Sequence, residues 1–394
     1  MFELIPTGTK IPFMKYKMLM ILFSSILTFT SLYFILTRGF NFGVDFAGGI
    51  ELVVRLPKGT TNGAEKLRKS FARIGIKDAS VQEFGSQKDK AQEEYIIHFA
   101  ADFADENVLR NTIEGALSSY AQPGEKLVTG FRFTGLEKAY LTLSKPIPFE
   151  ELKKQMKNIS FGLLEVTNFE TFGREASNEY QFTFQSISGL VQRELVKDFP
   201  ANDGDQVSIQ KVDFVGAKVG KDLKLSALLS LFITAVLIFV YIFIRFDLVY
   251  APGVVLSLIH DVTITAGFFS FFRIDFDLTT VAALLTLAGY SINDTIIVYD
   301  RIREVAKHLK GKSFEEIINI SANQTLSRTI ITSGTVFLTA LSLWIWGGPV
   351  IHGFAYALLI GVIVGTYSSI FIAAPAILFT NWIREREPRT KKAA

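Results

Sequence analysis

Six apolar stretches, each close in length to the thickness of a bilayer core, constrain the fold of this chain more than any other feature. A helix crosses the hydrocarbon core with about 20 predominantly apolar residues. The stretches that approach or meet this length, called spans one to six below, are Met18–Leu36, Leu223–Ile244, Val249–Phe272, Leu278–Tyr299, Thr329–Trp346 and His352–Thr380. The sequence therefore predicts a polytopic α-helical membrane protein with six transmembrane helices.

Composition agrees with a membrane protein that also carries a polar domain. Hydrophobic residues make up 49% of the 394 residues. The absence of cysteine from the sequence excludes a disulfide framework and a thiolate metal site. The net charge of +3 gives no reason to expect nucleic acid as a partner. Span one is followed by TRGFNFGVDF and not by a small-residue cleavage site, so we expect it to be retained.

Lysine and arginine flank the spans unevenly, and this asymmetry predicts the orientation of the chain. Basic residues gather before span one, between spans two and three, between spans four and five, and after span six. Since cytoplasmic flanks carry the excess of Lys and Arg, both termini are expected to be cytoplasmic. The predicted parts are a cytoplasmic N-terminus with span one (1–37), an extracytoplasmic domain (38–222), a bundle of spans two to six (223–380) with a cytoplasmic loop (300–327), and a basic cytoplasmic tail (381–394).

The segment between spans one and two is predicted to be an α+β domain. Strand-like runs such as IELVVRL alternate with amphipathic helical patterns such as GAEKLRKSFARIG. SVQEFGSQKDKAQEEYIIHF, from Ser80, also resembles EVTNFETFGREASNEYQFTF, from Glu165. This repeat predicts two βαββα units in a ferredoxin-like arrangement, with a shared sheet as one possible form. The alternative is a chance similarity between two amphipathic hairpins.

Asp294, in the stretch GYSINDTIIVYDRIRE, lies inside span four, where an ionised carboxylate is costly. Insertion of an Asp near a helix centre costs about 2.5–3.5 kcal/mol, so the side chain is expected to face protein and to have a partner. Arg328, in TLSRTIITSGT at the start of span five, is the predicted partner. Span four leads to the cytoplasm and span five returns from it, so the two residues are expected at similar depth.

Spans three, four and five each carry a polar face with an ionisable group. The members of these faces are Ser257, His260, Asp261 and Thr265 on span three, Tyr290, Ser291, Asn293 and Asp294 on span four, and Arg328, Thr332, Thr335, Thr339 and Ser342 on span five. Converging faces of this kind predict a proton path, because carboxylates and imidazoles exchange protons while hydroxyls relay them. The alternative is structural, because hydroxyls often bond to their own turn and an Asp–Arg pair can simply join two helices.

Small residues mark two further features. Gly361, Gly365 and Ser369 form a small-residue line in span six, which predicts close helix packing. Glycine-rich stretches GVDFAGG and FVGAKVGKDL flank the external domain and predict tight backbone passages. The predicted junction residues are Asp45, Gly48, Gly49, Gly216 and Gly220. The second stretch lacks the spacing of a phosphate loop, and HExxH and GxSxG do not occur in the sequence, so neither nucleotide binding nor hydrolysis is expected.

These stretches together resemble the SecD/SecF family, membrane subunits of the bacterial protein-export machinery and relatives of the resistance-nodulation-division transporters. The resemblance rests on GVDFAGG, FVGAKVGKDL, LSLIHDV, GYSINDTIIVYDRIRE and TLSRTIITSGT, and it covers nearly all of residues 212–380. A SecF-type chain usually has one small external unit. The apparent extra unit here, from about residue 102 to 205, departs from that pattern.

The resemblance implies a function and a site. Chains of the SecF type lie in the inner membrane, pair with SecD into a bundle of twelve helices, and associate with the SecYEG channel, with YajC as a possible small accessory subunit. They use the proton-motive force to promote export of preproteins. The family implicates the Asp of SINDT and the Arg of LSRT in proton passage, which implies Asp294 and Arg328 here. Protons are then the coupling ion, membrane lipids surround the bundle, and no bound cofactor, metal or enzymatic activity is expected.

Two other functions remain open from the sequence. A six-span chain with the same proton chemistry could serve as a half-transporter that exports a small molecule or lipid, which would require a substrate cavity. A non-conducting scaffold of the channel would need no titrating carboxylate at all. Replacement of Asp294 distinguishes the scaffold from both proton-coupled functions.

Overall fold

The computed structural model describes residues 9–84, 93–100, 106–122, 126–134, 137–157, 159, 165–172, 178–202, 204–245, 249–309 and 311–386. The middle of each repeat, the predicted start of the extra unit at residue 102 and the end of the basic tail lie outside these residues. Contacts divide the chain into two compact units, which are described in turn. The membrane unit is Met1–Gly43 with Lys224–Ala394, and the domain unit is Val44–Leu223.

The strands that the sequence patterns predict are all present, whereas the short helix Val44–Ala47 and the strands Asn41–Phe42, Val128–Thr134 and Asp275–Phe276 were not predicted. The helices are α1 (Lys17–Arg38), α2 (Val44–Ala47), α3 (Gly63–Arg73), α4 (Glu106–Ala116), α5 (Phe149–Lys157), α6 (Ile187–Asp198), α7 (Ala217–Arg245), α8 (Ala251–Phe272), α9 (Leu278–His308), α10 (Phe314–Trp346), α11 (Pro349–Ser368) and α12 (Ala374–Arg386). The strands are β1 (Asn41–Phe42), β2 (Gly49–Leu56), β3 (Ser80–Phe84), β4 (Glu93–Phe99), β5 (Val128–Thr134), β6 (Lys138–Leu143), β7 (Val166–Thr171), β8 (Glu179–Phe184), β9 (Ser208–Val215) and β10 (Asp275–Phe276).

The six predicted membrane spans are confirmed as helices long and apolar enough to cross a bilayer. Their bounds are Phe13–Arg38, Val219–Arg245, Ala251–Phe272, Leu278–His308, Phe314–Trp346 and Val350–Thr380. Spans three, four and six form the centre of the membrane unit, because 61%, 56% and 67% of the residues in their most apolar 18-residue segments are buried. In spans one, two and five only 11%, 11% and 17% of the residues in the corresponding segments are buried. Most of the surface of these three helices therefore faces lipid or another protein.

Spans four and five extend further than their apolar residues indicated. Helix α9 continues to His308, and α10 begins at Phe314. A capping box starts α10: the Ser313 hydroxyl accepts from the Glu316 amide, and the Glu316 carboxylate accepts from the Ser313 amide. The segment 300–327, expected to be a loop, is therefore mostly the end of α9, up to His308, and the beginning of α10, from Phe314. Hydropathy did not predict these helix ends, because they carry many charged residues.

Span one is tied to the rest of the membrane unit at both of its ends. At one end, the amides of Ile11 and Met14 donate to the side chains of Asn323 and Asn319 on α10, at 2.8 and 2.9 Å. At the other end, β1 pairs in parallel with β10, which directly precedes α9. These contacts place the beginning of span one beside the beginning of α10.

The domain unit contains two four-stranded antiparallel sheets, so the shared sheet considered above is wrong. The first sheet has the order β3-β4-β2-β9, and the second has the order β7-β8-β6-β5. The repeated hairpins, β3–β4 and β7–β8, occupy equivalent places in the two sheets. The first sheet with α3 and α6 has the βαββαβ order of a ferredoxin-like fold. In the second sheet, β7, β8, β6 and β5 occupy the places of β3, β4, β2 and β9 in the first sheet. The chain begins the second sheet at its edge strand β5, whereas β9, the equivalent strand of the first sheet, comes last.

The helix that follows each repeat packs with the other sheet. The prediction of two consecutive βαββα units is therefore wrong. Helix α4 follows the first repeat but packs on β5, whereas α6 follows the second repeat but packs on α3 and β9. The extra unit is therefore an insertion that begins with α4 and ends with β8, rather than near residue 205. Buried residues of both sheets form one continuous hydrophobic cluster.

The two glycine-rich stretches come together within the domain unit. A Cβ on Gly220 would lie 3.1 Å from the Gly48 amide nitrogen and 3.2 Å from the Phe46 carbonyl oxygen. Gly49 has φ +117°, and a Cβ there would lie 2.5 Å from the Phe99 carbonyl oxygen. Gly48 has φ +72°, so these three junction glycines are needed for close approach or for positive φ. Asp45 lies in the first turn of α2. At Gly216 a Cβ would meet no atom within 4 Å, so packing does not explain that glycine.

Replacing Gly49 with alanine is expected to destabilise the domain by about 2–3 kcal/mol, because the side chain adds backbone strain and meets a backbone oxygen. Gly115→Ala is the matched control, since a Cβ there meets no atom within 4 Å and alanine is favoured within a helix. Thermal unfolding of the purified chain in detergent measures both. Equal midpoints for the two variants would contradict the role of Gly49.

A small ionic cluster lies on the first sheet and makes its stability depend on pH. Glu51 on β2 contacts His98 on β4 at 2.8 Å and Lys211 on β9 at 3.1 Å. Burial raises the pKa of Glu51, but hydrogen bonding from His98 and the charge of Lys211 outweigh it, so the pKa falls below its ordinary 4.5. The contribution of Glu51 to stability is therefore complete above pH 4.5 and is lost as the pH falls through the lowered pKa.

Glu51→Gln is accordingly expected to weaken the first sheet by about 1 kcal/mol at pH 7 and to have little effect at strongly acidic pH. Amide hydrogen exchange of β2 and β4 in the full chain, corrected for intrinsic rates at each pH, measures this difference. Glu83→Gln on the neighbouring strand β3 is the control, because its side chain is exposed. An effect of Glu51→Gln that is equally large at both pH values would show that charge is not the cause.

Candidate functional site in the helix bundle

Asp294 on α9 is fully buried between helices of the membrane unit. The Ser333 hydroxyl on α10 donates to its Oδ2 at 3.2 Å, and the Thr366 hydroxyl on α11 donates to the Ser333 oxygen at 2.7 Å. Its Oδ1 has no hydrogen-bond partner among the described residues. A buried carboxylate with one unsatisfied oxygen is costly when ionised and far less costly when protonated. The site can therefore exchange a proton.

The predicted direct pair between Asp294 and Arg328 is not formed. Within the described part of the chain, no ion pair of 4.0 Å or less joins them, and the Arg328 side chain is exposed on α10. At 1.5 Å per residue, Asp294 lies about 24 Å from Leu278 and Arg328 about 27 Å from Trp346, so their depths are similar. The guanidinium is close enough to interact electrostatically with the Asp294 carboxylate, but it does not bond to it.

Much of the polar stripe of span five is exposed in this chain. Thr335 and Thr339 are exposed, and Thr332 is half-buried. Each hydroxyl donates to a carbonyl oxygen of its own helix, at 2.8 to 3.0 Å. Within this chain these three hydroxyls therefore have the structural role considered as the alternative to a proton path, because they bond to their own helix turn. Asn293 on α9 is also exposed, whereas the hydroxyl of half-buried Tyr290 lies near Ser333 and Thr332 on α10, outside hydrogen-bond geometry.

The hydroxyls that contact Asp294 were missed by the sequence argument. Ser333 lies off the stripe, on the face of α10 that carries Thr329 and Ala340, and all three residues are buried. This face repeats small residues at helical spacing, which is a signal of close packing. Thr366 on span six was likewise not singled out. The hydrogen bond to Asp294 therefore comes from the buried face of α10 and not from its polar stripe.

A second buried carboxylate, Asp261 on α8, lies near the middle of span three. Its Oδ2 accepts from the hydroxyls of Ser291 on α9 and Ser368 on α11, the latter at 2.8 Å, and its Oδ1 lies 2.9 Å from His260 Nδ1. The structure thus brings together the predicted residues Asp261, His260 and Ser291. They form a cluster distinct from the Asp294 contacts.

The small-residue line of span six allows these helices to approach closely, as predicted. A Cβ on Gly361 would lie 2.4 Å from the Leu287 side chain, and one on Gly365 would lie 3.1 Å from the Ser291 Cβ. Ser369 is fully buried in the π-helical turn Ser369–Ala373 that links α11 to α12. Close contact between α9 and α11 therefore positions Ser291 and Asp294 in the interior of the bundle.

Comparison with known proteins identifies the family. The family model "Protein export membrane protein SecD/SecF, C-terminal" matches residues 195–382, and the model "SecD/SecF GG Motif" matches residues 33–56. The protein translocase subunit SecF of Calditerrivibrio nitroreducens is 34% identical over 386 residues, which covers 98% of each chain. The chain belongs to the SecD/SecF family.

Other members of the SecD/SecF family show the same extent of similarity. The protein translocase subunit SecF of Koribacter versatilis is 37% identical and covers 86% of this chain, and the match covers 83% of that protein. The relative from Rickettsia bellii is 32% identical, with 96% of each chain covered. Since two of these relatives match over nearly their whole length, a domain of this size is not peculiar to this chain.

A solved structure of the family has the same fold. The crystal structure of SecDF from Thermus thermophilus, described as a translocon-associated membrane protein, is 25% identical with a TM-score of 0.64. The match covers 96% of this chain but only 39% of that protein. This chain therefore corresponds to less than half of the SecDF polypeptide. Six apolar helices and membership of this family make it a multi-pass protein of the bacterial inner membrane.

Proposed function

We propose that the chain is an auxiliary subunit of the Sec protein translocase that uses the proton-motive force, together with a SecD-type partner, to promote export of preproteins. The observation that carries the proposal is the fully buried Asp294 carboxylate with one oxygen left unpartnered among the described residues. The names of the curated relatives, which are translocase subunits, support the assignment to export.

The proton step is local and simple. A proton binds the open Oδ1 of Asp294, cancels its charge and weakens the bond that Oδ2 accepts from Ser333. Because Thr366 bonds the same serine, the change reaches α10 and α11 together. At a membrane potential of about 150 mV, one proton supplies roughly 3.5 kcal/mol. That energy shifts a two-state equilibrium several-hundred-fold, which is enough to drive a conformational change.

The exposed stripe of α10 supports a protein partner beside it. Arg328, Thr335 and Thr339 are exposed on a membrane-spanning helix, and an arginine inside a bilayer is costly unless protein or water surrounds it. A second six-helix half, of the SecD type, would cover this face and supply what Arg328 pairs with. The SecYEG channel, preproteins and a small subunit such as YajC complete the proposed assembly, with protons as the coupling ion and no bound cofactor.

The proposed orientation places both termini in the cytoplasm and residues 38–222 outside. Because the sequence has no cysteine, single cysteines report position without background. Lys66→Cys and Lys312→Cys place thiols at two exposed positions, on α3 and on the connection between α9 and α10. A membrane-impermeant thiol reagent added to intact spheroplasts is expected to label the first and not the second, and the reverse in inverted vesicles. Equal labelling from one side would contradict the orientation.

The test of the function compares translocation of a preprotein into inverted vesicles that contain or lack this chain, with and without a proton gradient. The proposed coupling predicts that the chain stimulates export only when the gradient is present. A stimulation that is independent of the gradient would favour the scaffold. Gradient-driven efflux of a small molecule or lipid, with export unchanged, would favour the half-transporter.

A further inference from the structure

The buried pair His260 and Asp261 is not used by the proton step described above. Asp261 is fully buried and accepts hydrogen bonds from Ser291 and Ser368, while His260 Nδ1 lies 2.9 Å from its other oxygen. The carboxylate is thus held by side chains from three different helices, α8, α9 and α11. These contacts from three helices hold the carboxyl group of Asp261 in one position.

The imidazole of His260 leaves one nitrogen open. Its side chain is 6% exposed, and Nε2 has no hydrogen-bond partner among the described residues. The ring stacks against Tyr367 with 6.3 Å between centroids. The Tyr367 hydroxyl is already occupied, because it donates to the Met20 carbonyl oxygen and accepts from Ser24. An open ring nitrogen in the interior of a membrane bundle is a position where a proton can bind.

We propose that His260 and Asp261 form a second proton-binding site, in which the imidazole receives the proton and the carboxylate stores it. With Asp261 ionised, His260 is neutral and its Nδ1–H donates to Oδ1 of Asp261. A proton arrives at Nε2 and forms an N–H bond there, while the Nδ1–H bond breaks and its proton forms an O–H bond on Asp261. The pair gains one proton and loses one negative charge, and the imidazole ends neutral in its other tautomer.

The neighbouring groups favour a link to Asp294. Of the titratable residues on the packed helices, Tyr367 on α11 faces the imidazole, and Asp294 on α9 lies about one turn from Ser291. Span one contributes the hydroxyl of Ser24 through Tyr367. Asp261 is bonded to Ser291, which lies on the same helix as Asp294. Proton uptake at Asp261 and proton release at Asp294 therefore both change the contacts of α9. This use of the second site rests on the proposed function, whereas the existence of the site does not.

Infrared difference spectra of the full complex in membranes, recorded between alkaline and acidic buffer, test the site directly. The expected spectrum contains a carbonyl band of a protonated carboxylic acid that Asp261→Asn removes and Asp294→Asn retains. Asp300→Asn, an exposed carboxylate on α9, is the control and is expected to leave that band unchanged. A spectrum of Asp261→Asn identical to wild type would overturn the proposal.

Two further variants keep the test decisive if Asp261→Asn does not fold. Ser368→Ala removes one donor to the carboxyl group and is expected to move the band without abolishing it. His260→Asn keeps an N–H donor beside Asp261 but cannot carry a proton, so uptake after a pH jump is expected to slow by about 100-fold. An unmoved band in Ser368→Ala, or an unchanged rate in His260→Asn, would contradict the assigned roles. None of these readouts depends on export, so a failure of the proposed function would be seen separately.

Discussion

Replacing Asp294 with asparagine is expected to abolish the whole of the gradient-dependent part of export and to leave the gradient-independent part unchanged. Asparagine has nearly the same size and can still accept the bond from Ser333, but it cannot take up a proton. One proton at about 150 mV corresponds to roughly 3.5 kcal/mol, so the ratio of export with and without the gradient should fall to one. Translocation into inverted vesicles at equal protein levels measures that ratio.

Two controls separate proton exchange from general damage to the helix. Asp300→Asn removes an exposed carboxylate from the same helix and is expected to export as wild type. Ser333→Ala keeps the titrating carboxylate but removes its hydroxyl donor, so gradient-dependent export should be reduced and not lost. If Asp294→Asn exported as wild type with the gradient present, the carboxylate would be structural and the scaffold would be the better explanation.

Replacing Gly253 with alanine is expected to destabilise the membrane unit by about 3–5 kcal/mol. A Cβ on Gly253 would lie 2.2 Å from the Tyr299 hydroxyl oxygen and 2.9 Å from the Ala373 carbonyl oxygen. The Tyr299 hydroxyl donates to that same carbonyl at 2.8 Å, at the end of the π-helical turn. The new methyl group would therefore break a buried hydrogen bond as well as separate α8 from α9 and α12.

A second substitution tests this cause. Tyr299→Phe alone removes the hydroxyl and should cost about 1 kcal/mol for the lost bond to Ala373. Combined with Gly253→Ala it should recover part of the loss, because the closest atom to the new methyl group is gone. Thermal unfolding in detergent measures the three variants. Strictly additive losses would contradict a direct contact between residues 253 and 299, since neighbours are expected to couple.

The features that the sequence predicted well are those that depend on local pattern. Hydropathy located all six spans, because each apolar stretch is long enough by itself to require a membrane. Alternation of apolar and polar residues located seven strands but not β1, β5 or β10, and the similarity of the hairpins from Ser80 and Glu165 reflects equivalent places in two sheets. The cost of a charge in lipid was enough to predict that Asp294 is buried.

The features that were missed depend on which elements pack together. Periodicity shows that Arg328, Thr335 and Thr339 share a face of α10, but not whether that face points inward. The structure leaves much of it exposed and brings Ser333 to Asp294. In the domain, the sequence shows a helix after each hairpin, but α4 and α6 each pack with the other sheet. Such exchanges follow from contacts between distant residues, which a local pattern does not contain.

The most direct test of proton coupling follows proton movement and not export alone. Inverted vesicles that contain the complete complex and a pH-sensitive dye in their acidic lumen would report the loss of lumenal protons while a preprotein is translocated. Wild type should lose protons faster when translocation begins, and Asp294→Asn should show no such acceleration at the same protein level. Acceleration of equal size in Asp294→Asn would show that protons do not pass through this carboxylate and would contradict the proposed mechanism.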